Sequence, residues 1–515
     1  MLFNSLQFLL FFVVVTILYF SLRFRLRWAL LLAASCYFYM VFQPAYILIL
    51  FLTIVIDYIA GIWIERTGTP GGNSPARKWL LILSLISNIG ILAFFKYLGF
   101  FTENIAFLFD ALHLPNLADS ITAGTNRIFL GVVKLFGQSG IDSFKDNMNI
   151  LPIGLSFHTF QAMSYTIEVY RGNQKAERHF GIYALYVMFY PQLVAGPIER
   201  PQNVLHQFHT PHAFNLEEVK AGLMQMAFGF FKKCVIADRL VLFLDPAFRH
   251  PDQHNGLSLL LATFFFTIQI YCDFSAYSDI AIGAARVMGF KLMDNFRTPY
   301  FAHSISEFWR RWHISLSSWF RDYLYIPLGG NRKGEARTYF NRFVVFLASG
   351  LWHGANWTYI IWGGLHGLYI VLDIAFSAKS KQRTVSNEQR TVSNDGPTFR
   401  QRAPGVLRRV FNIGFTFVLV MLTWVFFRAV SVSDAFLILG RIFTLSPTDP
   451  LQSPLNSPEL WFSFGLIVFL FLKEYFYFVI PTRNTARFAL LFSLIAFLTY
   501  LFGVFTSNQF IYFQF

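Results

Sequence analysis

The sequence predicts an all-α, polytopic membrane protein, and three observations carry that prediction. Fifty-five percent of the 515 residues are hydrophobic and only 14% are charged, whereas an average soluble domain carries about 25% charged residues. The apolar runs are long and continuous rather than alternating, which excludes a lipid-facing β-barrel. Sixty-four Phe and eleven Trp suit lipid-facing surfaces and the interfacial belt, where aromatic rings sit at headgroup level.

Apolar spans read at about 5–22, 28–43, 45–64 and 78–98, each near the roughly 20 residues needed to cross a bilayer. The first lacks a basic leader and a small-residue cleavage site, so it reads as a retained helix. Arg23, Arg25 and Arg27 follow it, and Arg66, Arg77 and Lys78 follow the third. Placing both clusters in the cytoplasm puts the N-terminus outside. From Phe101 to Asn149 the runs AFLFDAL and IFLGVVKLF are too short to cross and predict outer interfacial helices.

A span at about 151–169 returns to a basic turn at Arg171, Lys175 and Arg178. The next, about 182–197, ends in FYPQLVAGPIERP, where Pro191, Gly196 and Pro197 stop a helix at membrane depth. Spans at about 217–236 and 257–289 follow, the latter interrupted by YCDFSAYSD with Asp273 and Asp279. After a half-length rise to residue 353 and a return over 356–375, the last spans fall at about 410–427, 460–480 and 488–505, which leaves the C-terminus outside.

The net charge of +14 is unevenly placed. Residues 291–337 carry eight Lys/Arg against four Asp/Glu, and residues 377–409 carry eight against two, so these loops supply +4 and +6 of the total. The positive-inside rule explains both as cytoplasmic loops, without nucleic acid. The second loop contains QRTVSN twice, at 382–387 and 389–394, and reads as a disordered linker. Cys36, Cys234 and Cys272 form neither a CxxC pair nor a disulfide framework.

Polar chemistry concentrates between Ser304 and Gly367. It begins SISEFWRRWHISLSSWFRDYLYIPLGGNRKG and ends LASGLWHGANWTYIIWGGLHG. Ionisable groups at this depth cost a few kcal/mol or more, so their default reading is functional. Ser304 and Glu307 have capping-box spacing, and Trp309, Trp312, Leu316, Trp319, Phe320 and Tyr323 recur at helical spacing. This predicts an amphipathic helix lying flat, its aromatic face toward lipid or core, with Arg310, Arg311 and Arg321 at the phosphate headgroups. Ten residues, FVVFLASGLW, separate Arg342 from His353 and rise about 15 Å as a helix, roughly half of the 30 Å hydrocarbon core. His353 therefore tops a hairpin that rises from the inside and does not emerge.

A histidine in a membrane cavity accepts a proton near neutral pH, and Gly354 and Asn356 beside it offer close approach and an amide donor. Buried histidines also serve as satisfied structural groups, and that reading stands for His353 alongside the catalytic one; for His313 an interfacial residue hydrogen-bonded to a headgroup or backbone is preferred, and for His366 packing. His158 suits a bridge between helices. His206, His209 and His212 lack a converging carboxylate, so no metal site is expected. Asp273 and Asp279, six residues apart, face different sides of a helix and are not an acid/base pair. No phosphate-cradling GxxxxGK[ST] loop and no GxSxG elbow occurs.

The blocks FWRRWHISLSSWFRDYLYIPLGGNR and GLWHGANWTYIIWGGLHG, with ILPIGLSFHTFQAMSYTIEVYRG, FYPQLVAGPIERP and IYCDFSAYSDIAIGAARVMGF, resemble the membrane-bound O-acyltransferase family, and within it the bacterial alginate O-acetyltransferase branch. The resemblance runs from about Leu81 to Gly367. It implies about 11–13 transmembrane or partly inserted helices around a central tunnel. Its implied catalytic histidines are His353 and His313, with Asn356, Trp352, Arg310, Arg311, Arg321, Asp322 and Asp273 as supporting candidates.

The implied activity is acetyl transfer from a cytoplasmic thioester, acetyl-CoA or an acyl carrier protein, to an extracytoplasmic polysaccharide such as alginate, with no permanently bound cofactor. A periplasmic acetyltransferase partner and a bacterial inner-membrane location follow. One domain is expected over 1–515: N-terminal helices at 1–100, an outer interfacial segment at 101–150, a catalytic core at 151–376, a disordered basic loop at 377–409 and C-terminal helices at 410–515. D-alanine transfer to a cell-wall polymer is the rival within the family, although PLGGNR favours the alginate branch. A secondary transporter would show repeated broken helices in both halves, and WHGAN occurs once.

Overall fold

All regular structure among the described residues of the computed structural model is helical. It describes residues 1–41, 44–69, 71–72, 74–134, 154–194, 196–390, 405–446, 448–476, 482–505 and 510, with side chains omitted at 45, 133 and 377–390. Among the described residues six helices are long and apolar enough to cross a membrane, and the shorter apolar Leu6–Ser21 precedes them.

The N-terminal unit comprises α1 (Leu6–Ser21), α2 (Phe24–Met40) and α3 (Ile47–Arg66). Then α4 (Pro75–Leu92) passes through a π turn, Ala93–Tyr97, directly into α5 (Leu98–Ala111). The expected interfacial run AFLFDAL is therefore the end of a 37-residue continuous helix. Nothing between Leu92 and Ala111 stops it, since Gly99 weakens a helix without ending one. Helix α6 (Pro115–Lys134) packs back on α5; IFLGVVKLF ends beyond the described residues. A buried Asp57 in α3 accepts from Ser84 Oγ at 2.6 Å and from Asn88 Nδ2 at 2.9 Å in α4, which ties these helices together in apolar surroundings.

Helix α7 (Leu155–Arg171) is followed by α8, which spans only Phe180–Met188. Nine residues rise about 13 Å, so the span expected at 182–197 is a half-helix, buried from Gly181 to Met188. Pro191 removes an N–H just beyond it, and the chain continues in turns. Gln161 and Gln192 both donate to the Tyr186 carbonyl, at 2.5 and 2.8 Å, and so satisfy backbone the short helix leaves unpaired.

Helices α9 (Leu216–Phe230) and α10 (Asp238–Arg249) are joined by a π turn, Phe231–Ala237, and both pack on α11 (Gly256–Val287). Contrary to the interruption expected at YCDFSAYSD, α11 is unbroken over 32 residues. Ion pairs from the π turn stabilise its carboxylates: Lys233 Nζ lies 2.6 Å from Asp273, and also 2.8 Å from Asp238 at the start of α10, while Lys232 lies 2.6 Å from Asp279.

The expected single amphipathic helix is two short ones, α12 (Ile305–Arg311) and α13 (Ile314–Phe320), broken at His313 with φ 44°. Their aromatic face meets the core: Trp309, Trp312, Leu316, Trp319 and Phe320 are all buried. Half of the capping box forms, with Ser304 Oγ accepting from the Glu307 N–H at 3.2 Å, while Glu307 Oε2 accepts from the His303 N–H.

The hairpin follows as α14 (Glu335–His353) and α15 (Trp357–Arg390). Helix α15 runs through the first QRTVSN copy, in a stretch expected to be linker; residues 378–390 contain neither Gly nor Pro to end it. Residues 391–404, with most of the second copy, lie outside the described set. The chain closes with α16 (Val406–Arg428), α17 (Val432–Phe443), α18 (Ser457–Tyr475) and α19 (Thr485–Phe502).

Candidate active site

The site is built on the hairpin. Helices α14 and α15 cross closely because a Cβ on Gly350 would meet the Tyr359 carbonyl oxygen at 2.3 Å, and one on Gly363 the Phe346 oxygen at 2.4 Å. Small residues at such a crossing let backbones approach. The rise ends at His353, whose successor Gly354 is extended with φ −161°.

His353 is 5% exposed. Its ring stands edge-on to three aromatic faces: Trp352 at 4.9 Å, Trp362 at 5.1 Å and Phe427 at 5.3 Å between centroids. One wall each thus comes from α14, α15 and α16. The indole N–H groups of Trp352 and Trp362 have no hydrogen-bond partner among the described residues, which is rare for buried donors.

His313 belongs to the same chamber. Its left-handed backbone turns the ring inward, fully buried, edge-on to Phe274 at 4.6 Å and 6.4 Å from Trp352. Trp352 is thus in ring contact with both imidazoles, and His353 is within electrostatic reach of His313 and Lys96. Asn295 Oδ1 lies 3.1 Å from His313 Nδ1 and accepts from Ser315 Oγ at 2.9 Å and the Ser315 N–H at 3.3 Å; Asn295 Nδ2 donates to Ser278 Oγ at 3.1 Å. With that oxygen accepting from Ser315, Nδ1 is the donor in its contact with Asn295.

Neither Asn295 nor Lys96 was singled out by sequence. Lys96 Nζ donates to the Trp352 and His353 carbonyls at 2.7 and 2.9 Å, and Tyr97 hydroxyl to the Leu351 carbonyl at 3.0 Å. The π turn aims both residues at the orphan carbonyls that end α14. A lone Lys inside an apolar span was the available signal for Lys96; Asn295 sits in an unremarkable polar loop.

The remaining candidates fall in several places. Asn356 Oδ1 accepts from the Thr358 N–H at 3.0 Å and Nδ2 donates to the Val430 carbonyl at 3.3 Å, so its amide starts α15 rather than facing His353. Arg311 pairs with Glu307 at 2.5 Å; Asp322 pairs with Arg321 at 2.8 Å and Arg200 at 3.2 Å. Asp273 belongs to the Lys233 cluster. His366 packs structurally: Trp309 Nε1 donates to its Nδ1 at 3.2 Å, and its Nε2 meets Thr423 Oγ1 at 3.0 Å. His158 Nε2 bridges to Thr53 Oγ1 of α3 at 2.5 Å. His206 and His212 bond backbone carbonyls and His209 pairs with Glu177, so they do not converge.

Asn295 also lines a polar cavity of about 610 Å³, whose wall carries five cations, Lys232, Arg297, Arg310, Arg311 and Lys473, against three carboxylates, Asp279, Asp294 and Glu474. Arg310 and Lys473 have no carboxylate partner within ion-pair distance among the described residues, unlike Lys232, Arg297 and Arg311. An excess of cations around a cavity favours an anionic ligand.

A model of the family described as MBOAT, membrane-bound O-acyltransferase, matches residues 155–394, a range holding both histidines. The chain is 36% identical over 461 residues to a probable alginate O-acetylase of Pseudomonas syringae pv. tomato, covering 89% of this chain and 78% of that one. It is 34% identical over 446 residues to a peptidoglycan O-acetyltransferase of Helicobacter pylori, covering 81% and 73%. To a teichoic acid D-alanyltransferase of Streptococcus thermophilus it is 30% identical over 242 residues, 44% of this chain and 58% of that one. With that identity sustained over most of both chains, the chain belongs to the membrane-bound O-acyltransferase family, and it is a multi-pass membrane enzyme that transfers acyl groups to oxygen.

Proposed function

We propose that this enzyme moves an acetyl group from a cytoplasmic thioester to hydroxyls of an extracytoplasmic polysaccharide, alginate being the acceptor in the printed name of a relative 36% identical to it. The observation that carries the assignment of chemistry is His353, stopped inside the protein at the end of a helix that goes no further. Neutral His353 takes the proton of the acceptor hydroxyl as that oxygen attacks the thioester carbonyl, then returns it to the departing thiolate. His313, held by Asn295, is the second catalytic histidine, and residues 151–376 form the catalytic core.

The cation-rich cavity that Asn295 lines supports entry of the donor, acetyl-CoA or an acetylated carrier protein, whose phosphates face Arg310 and Arg311. In this reading the basic loops are cytoplasmic, both termini face outward, the membrane is the bacterial inner membrane, and a periplasmic acetyltransferase receives or completes the transfer.

The test is acetylation of extracellular polysaccharide, read by mass analysis, in cells carrying the wild-type chain or His353→Ala at matched membrane abundance. A fall of about 10²- to 10⁴-fold is expected for loss of a general base. Undiminished acetylation by the variant would remove His353 from the reaction.

A further inference from the structure

Acyl transfer needs a base and also something to hold the negative charge that develops on the carbonyl oxygen. Electrostatic stabilisation of that oxyanion is usually the largest single contribution to such reactions. Asn356, the amide the sequence offers for this task, spends its oxygen on the Thr358 N–H and its nitrogen on the Val430 carbonyl. The donor must come from elsewhere.

We propose that Lys96 is a further catalytic residue, its ammonium donating to the carbonyl oxygen of the acyl group under attack beside His353. This rests on the acyl-transfer reading above and names the electrophilic partner of its base. Lys96 lies 257 residues from His353 in sequence, yet its Nζ is 2.9 Å from that residue's carbonyl and 2.7 Å from that of Trp352. An ammonium has three donors, and those two bonds leave one N–H unspent among the described residues.

Two carbonyls at the negative end of the α14 dipole anchor Nζ, and the Trp352 ring lies 5.9 Å from it. No carboxylate neutralises it among the described residues, and an unneutralised cation at this depth is costly unless it is used. The π turn Ala93–Tyr97 supplies the register that puts Lys96 and Tyr97 together on the end of α14; such bulges in α-helices are frequent at functional sites.

The atoms and charges of the step balance. His353 removes the hydroxyl proton, the oxygen forms a bond to the carbonyl carbon, and the carbonyl π pair moves onto oxygen, where the Lys96 N–H meets it. Collapse restores the carbonyl and breaks the C–S bond, and the thiolate takes the proton from His353. An ester and a thiol result, with Lys96 unchanged.

The experiment compares wild type with Lys96→Met, Lys96→Gln and Lys96→Arg in detergent-solubilised enzyme, using acetyl-CoA and an oligosaccharide acceptor. Thermal melting and monodispersity are measured beside kcat and KM. Gln keeps N–H donors for the two carbonyls but carries no charge, so it separates helix capping from electrophilic assistance. The expected result is a kcat lower by about 10²- to 10³-fold for Met and Gln, with KM within a few-fold of wild type and Arg retaining more turnover than either.

Wild-type kcat in folded Lys96→Gln would overturn the proposal and leave Lys96 a cap. The proposal fails equally if neither Met nor Gln yields folded protein, or if both lose activity through KM alone. Absence of transfer by the wild type to any acceptor would instead count against the acyl-transfer reading itself.

Discussion

The two histidines differ in how the chain holds them, and this makes their roles separable. His353 was legible from helix length: only ten residues separate it from Arg342, about half the rise that a crossing needs. His313 depends on a left-handed backbone at φ 44°, which no spacing in the sequence announces. Replacing it with Ala would confound chemistry with backbone strain of about 1–2 kcal/mol, whereas Asn accepts that conformation more readily. We expect His313→Asn to reach near-normal membrane abundance while transfer falls about 10²-fold, the lower range for a lost acid/base group. Retained transfer in quantitative acetylation assays would make His313 a packing residue. Trp352 was legible because it adjoins His353; Lys96 was not, because 257 residues separate it from His353, and Asn295 was not, because nothing in its polar loop marks it out although it lies 18 residues from His313.

At the scale of elements, the α14–α15 hairpin is the part most sensitive to volume. A methyl at Gly350 points into backbone rather than a flexible side chain, 2.3 Å from the Tyr359 oxygen. The helices must separate to admit it, at an overpacking cost of about 1–3 kcal/mol. Gly350→Ala is therefore expected to lower the melting temperature and reduce turnover, whereas Gly465→Ala, whose new Cβ meets nothing within 4 Å, changes neither. Thermal melts with parallel activity assays check both. The hairpin could be read from WHGAN, but the π turns could not. Three of them carry Lys96, the Lys232 and Lys233 pair, and Arg321; a single extra residue in one turn leaves no trace in hydrophobic periodicity.

At the scale of the molecule, most spans were legible as apolar length, because water excludes such runs wherever they occur. The exceptions involve partners. The span read at 182–197, stopped by Pro191, ends earlier still, at Met188, and α11 stays whole across Asp273 because Lys233 is supplied by the neighbouring π turn. That lysine is 1% exposed between two carboxylates that are no more than 1% exposed. Lys233→Met leaves both carboxylates without their cation and is expected to destabilise by about 3–5 kcal/mol, the usual result of stripping a buried pair. Its measure is the yield of monodisperse protein and the melting temperature, with the distant Lys333→Met as the silent control.

The unbroken run from Pro75 to Ala111 has a geometric corollary. At 1.5 Å per residue its 37 residues extend about 55 Å, nearly twice the roughly 30 Å that hydrocarbon occupies. An upright rod of that size projects some 25 Å past the lipid tails, and leaning alone does not absorb the surplus at ordinary tilts. Part of this run therefore lies beyond the hydrocarbon, with α6 folded back against α5, and Lys96, which holds the carbonyls that end α14, belongs to the same spar.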